Sequence, residues 1–389
     1  MENAGIFGII LGIVIRLWPV WIALAAVLVV VRLYGKRMGL FGQLFDSSIG
    51  TAGVLICAFW VFTAIFADVI APLDPRVQVA IMKNAVPGAI DSGSGMTFLL
   101  GGDHLARDVF SRVVYGARIV LTIAPAATLI ALLVGSSLGL PAGFFGRRID
   151  AVLSFLANLV LAFPVILLFY LLVTPGIMDT AIPYMMAGIL FIIPIIFFCV
   201  LFATRYSARP TQMWIYLAIT LVVGFWIYAG LVFDADPLRI ISIEPNELNI
   251  FVAVVFASSP GVFRIVRGLV MDIITRDYVA AAQTRGESPW YIMLWEILPN
   301  ARGPLIVDVC LRIGYTTILL GTLGFFGLGM GPESPDWGTA IKDGSKVAQI
   351  RLYPWQGVVP ALALMSLVLG LNLLAFGLSE MYLAWPGSI

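Results

Sequence analysis

The 389-residue chain is 61% hydrophobic and only 12% charged, with a formal net charge of +1. At a mean hydropathy of +1.01, so much apolar surface cannot be hidden in a water-soluble core, and the composition predicts an all-α polytopic membrane protein. The near-neutral charge gives no indication of nucleic-acid binding. The three cysteines form no CxxC pair of the kind that binds metal or forms a redox disulfide.

Runs of about 18 or more apolar residues predict nine membrane spans along the chain. In chain order they lie near residues 13–33, 50–71, 117–142, 151–174, 184–204, 213–233, 250–270, 303–328 and 356–381. Arg16 falls inside the first of them, where its long side chain would have to reach back to the interface. The alternative for this segment is that residues 1–15 lie flat at the membrane surface.

Three short basic loops set the predicted orientation. They read RLYGKR (32–37), GRRID (146–150) and RYSAR (205–209), and the alternation of nine spans places all three on one side of the membrane. Because short cytoplasmic loops carry the excess of Lys and Arg, we predict the N-terminus outside and the C-terminus inside.

A polar, helix-capable stretch follows the seventh span at Arg276–Asn300, reading RDYVAAAQTRGESPWYIMLWEILPN. Thr275 is predicted to cap a first short helix, and Gly286 to end it in a positive-φ conformation. Ser288-Pro289 then predicts the start of a second helix, and Pro299 its end. Two capped helices around a glycine are typical of a loop that binds another protein. The alternation of the membrane spans places this loop on the cytoplasmic side.

Signatures of chemistry are missing from the sequence. It contains no GxxxxGK[ST], no G-x-S-x-G and no HExxH, so we predict no catalytic residue and no nucleotide site, and a partner would supply energy for uphill transport. His104 is expected to be a solvated or hydrogen-bonded loop histidine rather than a catalytic one. Asp308 and Arg312, spaced i, i+4 in the eighth span, are expected to neutralise each other.

Two other classes of protein stay open at this stage. An ion-gradient-driven secondary transporter would use a membrane carboxylate such as Asp308 as its coupling-ion site. An intramembrane enzyme would need reactive side chains in a wet cavity, and the sequence offers none that can be named.

Residues 276–300 resemble the coupling loop of ABC-importer permeases, whose pattern is EAA, three residues, Gly, nine residues and I-x-L-P. Ala280-Ala281-Ala282 are followed by three residues and Gly286, and Leu298-Pro299 lie at the required distance. GGDHLARDVFSRVVYGAR (101–118) and LGFFGLGMGPESPDWGTAIKDG (323–344) are similar to two further motifs of the dipeptide, oligopeptide and nickel branch. Importers of this branch contain two permease subunits, and the chain looks like the second of them.

The resemblance implies three groups of functional residues. The ATPase-coupling loop would use Arg276, Asp277, Tyr278, Ala280, Ala281, Ala282, Arg285, Gly286, Glu296, Leu298 and Pro299. An external loop on the binding-protein side would use Pro332, Pro335, Trp337 and Gly338. The motif before the third span contains Asp103, Arg107, Asp108, Arg112, Tyr115 and Gly116.

Two departures from the coupling-loop pattern stand out. Ala280 replaces the usual Glu, and Glu296 replaces the usual Ile or His. Coupling would then rely on the shape of the loop rather than on the missing carboxylate.

The resemblance also divides the chain. A six-span core would comprise residues 37–174 and 249–389, preceded by an extra span at 1–36 and interrupted by an inserted pair of spans at 175–248. We expect the inserted pair to lie at the periphery, against lipid or the outer face of the core.

The implied assembly contains a second homologous permease, two cytoplasmic ATPases that bind ATP and Mg, and an external solute-binding protein, in the inner membrane of a prokaryote. This multi-pass chain would contact membrane lipid, bind no cofactor and no nucleic acid, and couple ATPase motion to the solute path. Di- and oligopeptides are the favoured solutes. Nickel chelates, opines and sugar–peptide conjugates are alternatives.

Overall fold

The computed structural model describes residues 3–178, 180–233, 235–236, 245–328, 330–331 and 333–384, and they are mostly helical. The α-helices are α1 (Ile6–Arg16), α2 (Trp18–Tyr34), α3 (Leu40–Gln43), α4 (Ser48–Ile65), α5 (Ala67–Ile70), α6 (Val109–Phe145), α7 (Arg147–Ala162), α8 (Val165–Val173), α9 (Pro175–Met178), α10 (Ile182–Arg205), α11 (Pro210–Phe233), α12 (Pro245–Ile273), α13 (Asp277–Thr284), α14 (Pro289–Tyr291), α15 (Leu298–Asn300), α16 (Arg302–Phe326), α17 (Trp337–Gly344), α18 (Val347–Leu352) and α19 (Trp355–Ala384). Three 3-10 turns cover Gly35–Arg37, Leu44–Asp46 and Ala80–Met82, and a π-helical stretch covers Ile292–Ile297. The short strands β1 (Ala89–Ile90) and β2 (Thr97–Phe98) pair antiparallel. The predicted all-α class is confirmed.

Seven helices are each long and apolar enough to cross a membrane: α4, α6, α10, α11, α12, α16 and α19. Two bent pairs raise the count to nine if each pair forms one span: α1 with α2, bent by 59°, and α7 with α8, bent by 85°. All nine predicted spans therefore fall on helices of the structure, and seven of them on unbroken ones.

Prolines account for both bends. Pro164 directly precedes α8, and a proline ring disfavours the helical conformation of the residue before it, here Phe163, which is extended with ψ 135°. Pro19 lies in the first turn of α2, where its missing N–H costs nothing, and the chain breaks at Leu17 just before it. The first break makes α1 a separate helix, the arrangement that the interfacial alternative for the N-terminal segment requires.

The chain forms two compact units, Met1–Pro125 with Cys310–Ile389, and Ala126–Val309. In the first unit, α4 and α19 pack along most of their lengths. A Cβ added to Gly53 would lie 2.4 Å from the backbone nitrogen of Leu374, and one added to Gly370 would lie 2.6 Å from the Ile56 side chain. Glycines thus let the two backbones approach closely, as small residues do in membrane helix pairs. The predicted division into core and insertions stays a prediction.

In the second unit, α6 packs against α12 through glycines spaced four residues apart, which places them on one helix face. The glycines are Gly135, Gly139 and Gly143. A Cβ on Gly135 would lie 2.5 Å from Val262 Cβ, and one on Gly143 would lie 2.7 Å from Val270 Cβ. The Arg267 guanidinium of α12 also donates to Asp150 at the start of α7, with a 2.6 Å bond between Nη2 and Oδ2. Together these contacts make α12 the central support of this unit.

The predicted inserted pair corresponds to two long apolar helices, α10 and α11, which are joined by four residues and packed on each other. Tyr206 in the turn stacks on Tyr216 with ring centroids 4.7 Å apart. In their most apolar stretches 22% and 17% of the residues are buried, against 33% or more in the other five unbroken candidate spans. This low burial agrees with a peripheral position.

The predicted orientation can be tested by labelling single cysteines, in a background whose three native cysteines are replaced by Ala. We expect Ser207→Cys, in the α10–α11 turn, to react with a membrane-impermeant maleimide only from the cytoplasmic side. Ser92→Cys, in the β1–β2 turn, is the matched control and should react only from outside. Labelling of residue 207 from outside would contradict the orientation of the inserted pair.

Candidate functional site

The first helix of the loop, α13, begins where predicted but with a different cap. Its N-cap residue is Arg276, in extended backbone with φ −77° and ψ 148°, and no side chain caps the helix. The predicted cap by Thr275 is wrong, because its hydroxyl donates instead to the carbonyl of Asp272 at 3.0 Å. Asp277 lies in the first turn, where a negative charge favours the positive helix start.

Gly286 ends α13 as predicted, with φ +77°. Its N–H donates to the carbonyl of Gln283 at 2.9 Å, and the N–H of Glu287 donates to that of Ala282 at 3.2 Å. This pair of bonds is the Schellman motif, which needs a residue with positive φ at the glycine position. The protein around Gly286 is open, since a Cβ there would meet nothing within 4 Å.

The second helix starts as predicted, because Ser288 Oγ accepts from the N–H of Tyr291 at 3.2 Å and Pro289 occupies the first turn. The predicted end at Pro299 is wrong: the helix continues through α15 to Asn300. A proline removes only one backbone bond, and the π-helical stretch Ile292–Ile297 ahead of it accommodates the ring.

These two helices form what we call the platform, residues 276–300. One side of it is buried in an apolar core with α12, contributed by Val279, Ala282, Ile292, Met293, Leu294 and Ile297 against Val262, Val266, Val270 and Ile273. The opposite side is exposed, and it includes Arg276, Asp277, Tyr278, Ala280, Ala281, Arg285, Gly286 and Pro299. Ala282, predicted with the coupling residues, is buried, and Glu296 and Leu298 are half-buried.

Charged side chains join the two platform helices at the corner. Arg285 Nη2 donates to Glu296 Oε1 at 2.8 Å, and the Arg285 Nε lies 3.9 Å from Glu287 Oε1. Arg276 lies 3.5 Å from Asp272 at the end of α12. Glu296, the departure noted in the sequence, is therefore the partner of Arg285, which the sequence analysis did not pair. Exposed pairs of this kind stabilise by at most about 1 kcal/mol.

The motif before the third span forms a tight loop around one carboxylate in the first unit. Asp103 Oδ1 accepts from the backbone N–H groups of Leu105 and Arg107 at 2.8 and 2.9 Å. Its Oδ2 accepts from Arg107 Nε at 2.6 Å and lies 3.8 Å from Arg112 Nε. All three charged side chains are buried, and the two guanidinium groups share this one carboxylate, with Asp343 Oδ2 as a second acid 4.0 Å from Arg107 Nη2.

The next residues of this motif also have structural partners. Asp108 caps α6, because its Oδ2 accepts from the N–H and the hydroxyl of Ser111 at 2.8 and 2.7 Å. Tyr115 donates its hydroxyl to Asp68 Oδ1 at 2.9 Å, and Arg118 forms an ion pair with the same carboxylate at 2.9 Å. The role of Asp68 could not be predicted, since it lies about 50 residues from its partners.

Trp337 connects the two family-like motifs of the first unit. Its ring is 1% exposed, its Nε1 donates to the carbonyl of Val113 at 3.0 Å, and a Cβ on Gly116 would lie 2.4 Å from the ring. The missing side chain at Gly116 therefore leaves a space, here called the notch, that the indole of Trp337 fills. The Arg112 guanidinium donates to the carbonyl of Ser334 at 2.9 Å across the same contact.

The rest of the second motif is organised by Asp336, which caps α17 by accepting from the N–H of Thr339 at 2.8 Å. Gly338 lies directly against the backbone of Gly321, where a Cβ would be 2.2 Å from the carbonyl oxygen. Pro335 places its carbonyl oxygen beside Gly116. Pro332 lies outside the described residues.

Burial shifts the acid–base properties of this cluster. It raises the pKa of the Asp108 and Asp336 carboxyls and lowers the pKa of the His104 imidazole. His104 Nε2 lies 3.8 Å from Asp343 Oδ2, and its Nδ1 is buried without a hydrogen-bond partner among the described residues, so the imidazole is packed in the loop rather than hydrogen-bonded. These groups hold the loops together, and nothing in their arrangement resembles a nucleophile with its base.

Comparisons with known proteins agree with this picture. Residues 207–383 match the family described as the binding-protein-dependent transport system inner membrane component. The chain is 28% identical over 348 residues to the di/tripeptide transport system permease protein of Pseudomonas aeruginosa strain UCBPP-PA14, covering 89% of this chain and 92% of the relative. It is 28% identical over 342 residues to the dipeptide transport system permease protein of Haemophilus influenzae, covering 87% and 90%. It is 25% identical over 291 residues to the glutathione transport system permease protein of Pectobacterium atrosepticum, covering 75% and 74%.

The matched family segment contains the platform and every helix from α11 to α19. Together with the apolar helices, these matches define a multi-pass inner-membrane permease of a binding-protein-dependent transport system. The resemblance to ABC-importer permeases is confirmed. Such a system includes an ATPase and a solute-binding partner.

The notch at Gly116 gives a direct test of the Trp337 contact. We expect Gly116→Ala to destabilise the protein by about 1–3 kcal/mol, because the added methyl overlaps the buried ring. The measurement is the thermal unfolding midpoint in detergent, followed by Trp fluorescence.

Gly268→Ala is the matched control, since Gly268 is also helical but a Cβ there meets nothing within 4 Å. It should leave the midpoint unchanged or raise it, because alanine favours helix. Equal midpoints for Gly116→Ala and the unmodified protein would show that Trp337 does not need the notch.

Proposed function

We propose that this chain is the permease subunit of an ATP-driven importer of di- and oligopeptides or peptide-like solutes, and that the platform receives the motion of the ATPases. Support for the solute class comes from relatives named for di/tripeptide, dipeptide and glutathione transport. Support for the platform comes from one observation: an exposed corner, Gly286, between two helices whose other side is packed into a membrane helix.

The packing of the platform suits it to pass movement of the ATPases on to the membrane helices. Val279 and Ala282 of the first helix, and Ile292 and Ile297 of the second, are essentially fully buried in one apolar core, to which α12 contributes four buried valine and isoleucine side chains. A displacement of the corner therefore has to move α12 or break an apolar core, and close-packed interiors transmit strain rather than absorb it. Closure of an ATPase pair would thus shift α12 as a rigid element.

The chain itself has a non-catalytic role in this proposal. ATP and Mg would be held by two cytoplasmic ATPases, and the chain would bind no cofactor. A second homologous permease would complete the solute path, and an external binding protein would deliver the solute and set most of the selection.

The function is tested by uptake of a labelled dipeptide into vesicles that contain the assembled transporter. Uptake should require ATP on the ATPase side and the binding protein on the other. Uptake driven by an imposed ion gradient without ATP would instead identify a secondary transporter.

The platform role is tested at Gly286. We expect Gly286→Val to leave the protein inserted but to weaken ATPase docking and abolish transport. A valine penalises the positive-φ backbone by roughly 1 kcal/mol or more, and it adds volume to the exposed corner. The measurements are pull-down of the ATPases and ATP-driven uptake.

Three variants separate the contributions. Gly95→Val carries the same backbone strain at φ +70° in an equally open loop of the other unit, and it should transport normally. Gly286→Asn relieves much of the strain, since Asn tolerates positive φ, but keeps the added volume, so it should recover only partly. Ala280→Glu should be tolerated because residue 280 is exposed. Normal docking and uptake by Gly286→Val would exclude this corner as the transmission point.

A further inference from the structure

The α10–α11 hairpin, which the sequence analysis predicts to be an inserted pair of spans, touches the platform at the end of α10. Trp295, in the π-helical stretch of the second platform helix, donates its Nε1 proton to Thr204 Oγ1 at 3.2 Å. The guanidinium of the next residue, Arg205, lies over the Trp295 ring, 4.7 Å from its centroid. Two consecutive side chains at the end of α10 thus hold one indole by its polar edge and by its face.

Both contacts are oriented by α10 itself. Thr204 Oγ1 donates its own proton back to the carbonyl of Val200 at 2.9 Å, so a lone pair is left to accept from the indole. An arginine over an indole face is the most favourable cation–π pairing among protein side chains. The half-buried Trp295 is therefore held by hydrogen bonding and by cation–π attraction, and both depend on the register of α10.

Apolar packing extends this contact for two turns along α10. Phe197, Val200 and Leu201 pack against the same core that buries Met293 and Ile297 of the platform. One side of the second platform helix thus rests on α12 and another on the inserted helix.

A cavity of about 230 Å³ lies beside this contact, lined by residues of α6, α10 and the second platform helix, among them Leu138, Phe197, Trp290 and Met293. Because the helix lacks packing partners where it borders the cavity, contacts elsewhere have to fix its tilt. The hydrogen bond of Trp295 to Thr204 and its cation–π contact with Arg205 supply such contacts at the edge of the cavity.

The hairpin is built to act as one body. Tyr216 of α11 stacks on Phe202 and on Tyr206, with ring centroids 5.3 and 4.7 Å away, directly beside Thr204 and Arg205. Further along the pair, a Cβ added to Gly224 would lie 3.1 Å from the Ile195 side chain, so the glycine lets the two helices approach closely. A force on the end of α10 is therefore shared with α11 rather than bending α10 alone.

We propose that the α10–α11 hairpin braces the coupling platform, with Thr204 and Arg205 as positioning residues that hold Trp295 and so fix the tilt of the second platform helix. The brace rests on the proposed coupling role of the platform, and it assigns a task to the pair of spans at α10 and α11. Without it, the platform would still bind the ATPases, but part of each ATPase stroke would be lost in movement of this helix toward the cavity.

The test compares the double variant Thr204→Val, Arg205→Ala with the unmodified chain in the assembled transporter. Two quantities are measured: labelled dipeptide imported per ATP hydrolysed, and hydrogen exchange of the amides of residues 290–300. We expect imported dipeptide per ATP to fall, and amide exchange to rise, each by about threefold or more, since both contacts to the indole are lost. ATPase pull-down should be unchanged.

Matched controls carry the same chemical changes on the same hairpin. Thr220→Val removes a hydroxyl that bonds only within α11, to Tyr216, and Arg209→Ala removes an exposed arginine of the turn. Both should behave as the unmodified chain, and Thr204→Ser with Arg205→Lys should restore both quantities. If the double variant fails to insert, Trp295→Phe removes the indole donor and reduces the aromatic face under Arg205, and it should produce a smaller change of the same kind.

The outcomes separate this inference from the proposed function. Unchanged exchange, or raised exchange with normal import per ATP, overturns the brace. If Gly286→Val nevertheless abolishes transport, the coupling role of the platform stands without it. If Gly286→Val also transports normally, the platform role itself is wrong.

Discussion

The burial of one side of the platform against α12 is the constraint on which the rest of this site depends. A loop of 25 residues between two membrane spans has no reason to be rigid in water, because ordering each residue costs about 1–2 kcal/mol of backbone entropy. Val279, Ile292, Met293 and Ile297 offset that entropy by leaving water altogether. Once both helices are fixed on the same support, the chain between them has to reverse within a few residues. That reversal is what demands a positive-φ residue at Gly286.

Close approach, rather than reactive chemistry, also explains the charged motifs of the first unit. Asp103 and Asp108 belong to the family-like motif before the third span, and each accepts hydrogen bonds from backbone N–H groups or from a neighbouring side chain. The carboxylates order the loops so that the Trp337 ring can enter the space left by Gly116. A motif can thus be distinctive because a fold needs it at one spot, without any of its members touching a solute.

Local rules of the sequence were sufficient where the determining interaction is local. The apolar runs located all nine candidate spans, and glycine and serine–proline signals located the end of α13 and the start of α14. They failed where a local group had two options: Thr275 bonds backward to α12 instead of capping forward, and Pro299 is absorbed by a π-helical stretch. They could not find contacts such as that of Trp337 with Val113, because these join residues more than 200 positions apart and leave no periodic trace.

The two departures from the coupling-loop pattern acquire a physical meaning when the charges are placed. Arg285 is engaged with Glu296, and Arg276 with Asp272, so the arginines at both ends of the first platform helix already face an acid of this chain. Such exposed pairs contribute at most about 1 kcal/mol, and salt weakens them further. They cannot hold the platform in place, and a partner could exchange them at little cost. The buried apolar side therefore sets the position of the corner, while the alanine at residue 280 leaves the exposed face without the usual carboxylate. For this chain, recognition of the platform then depends on the shape and placement of its two helices, which makes any contact that fixes their tilt matter more than any single charge.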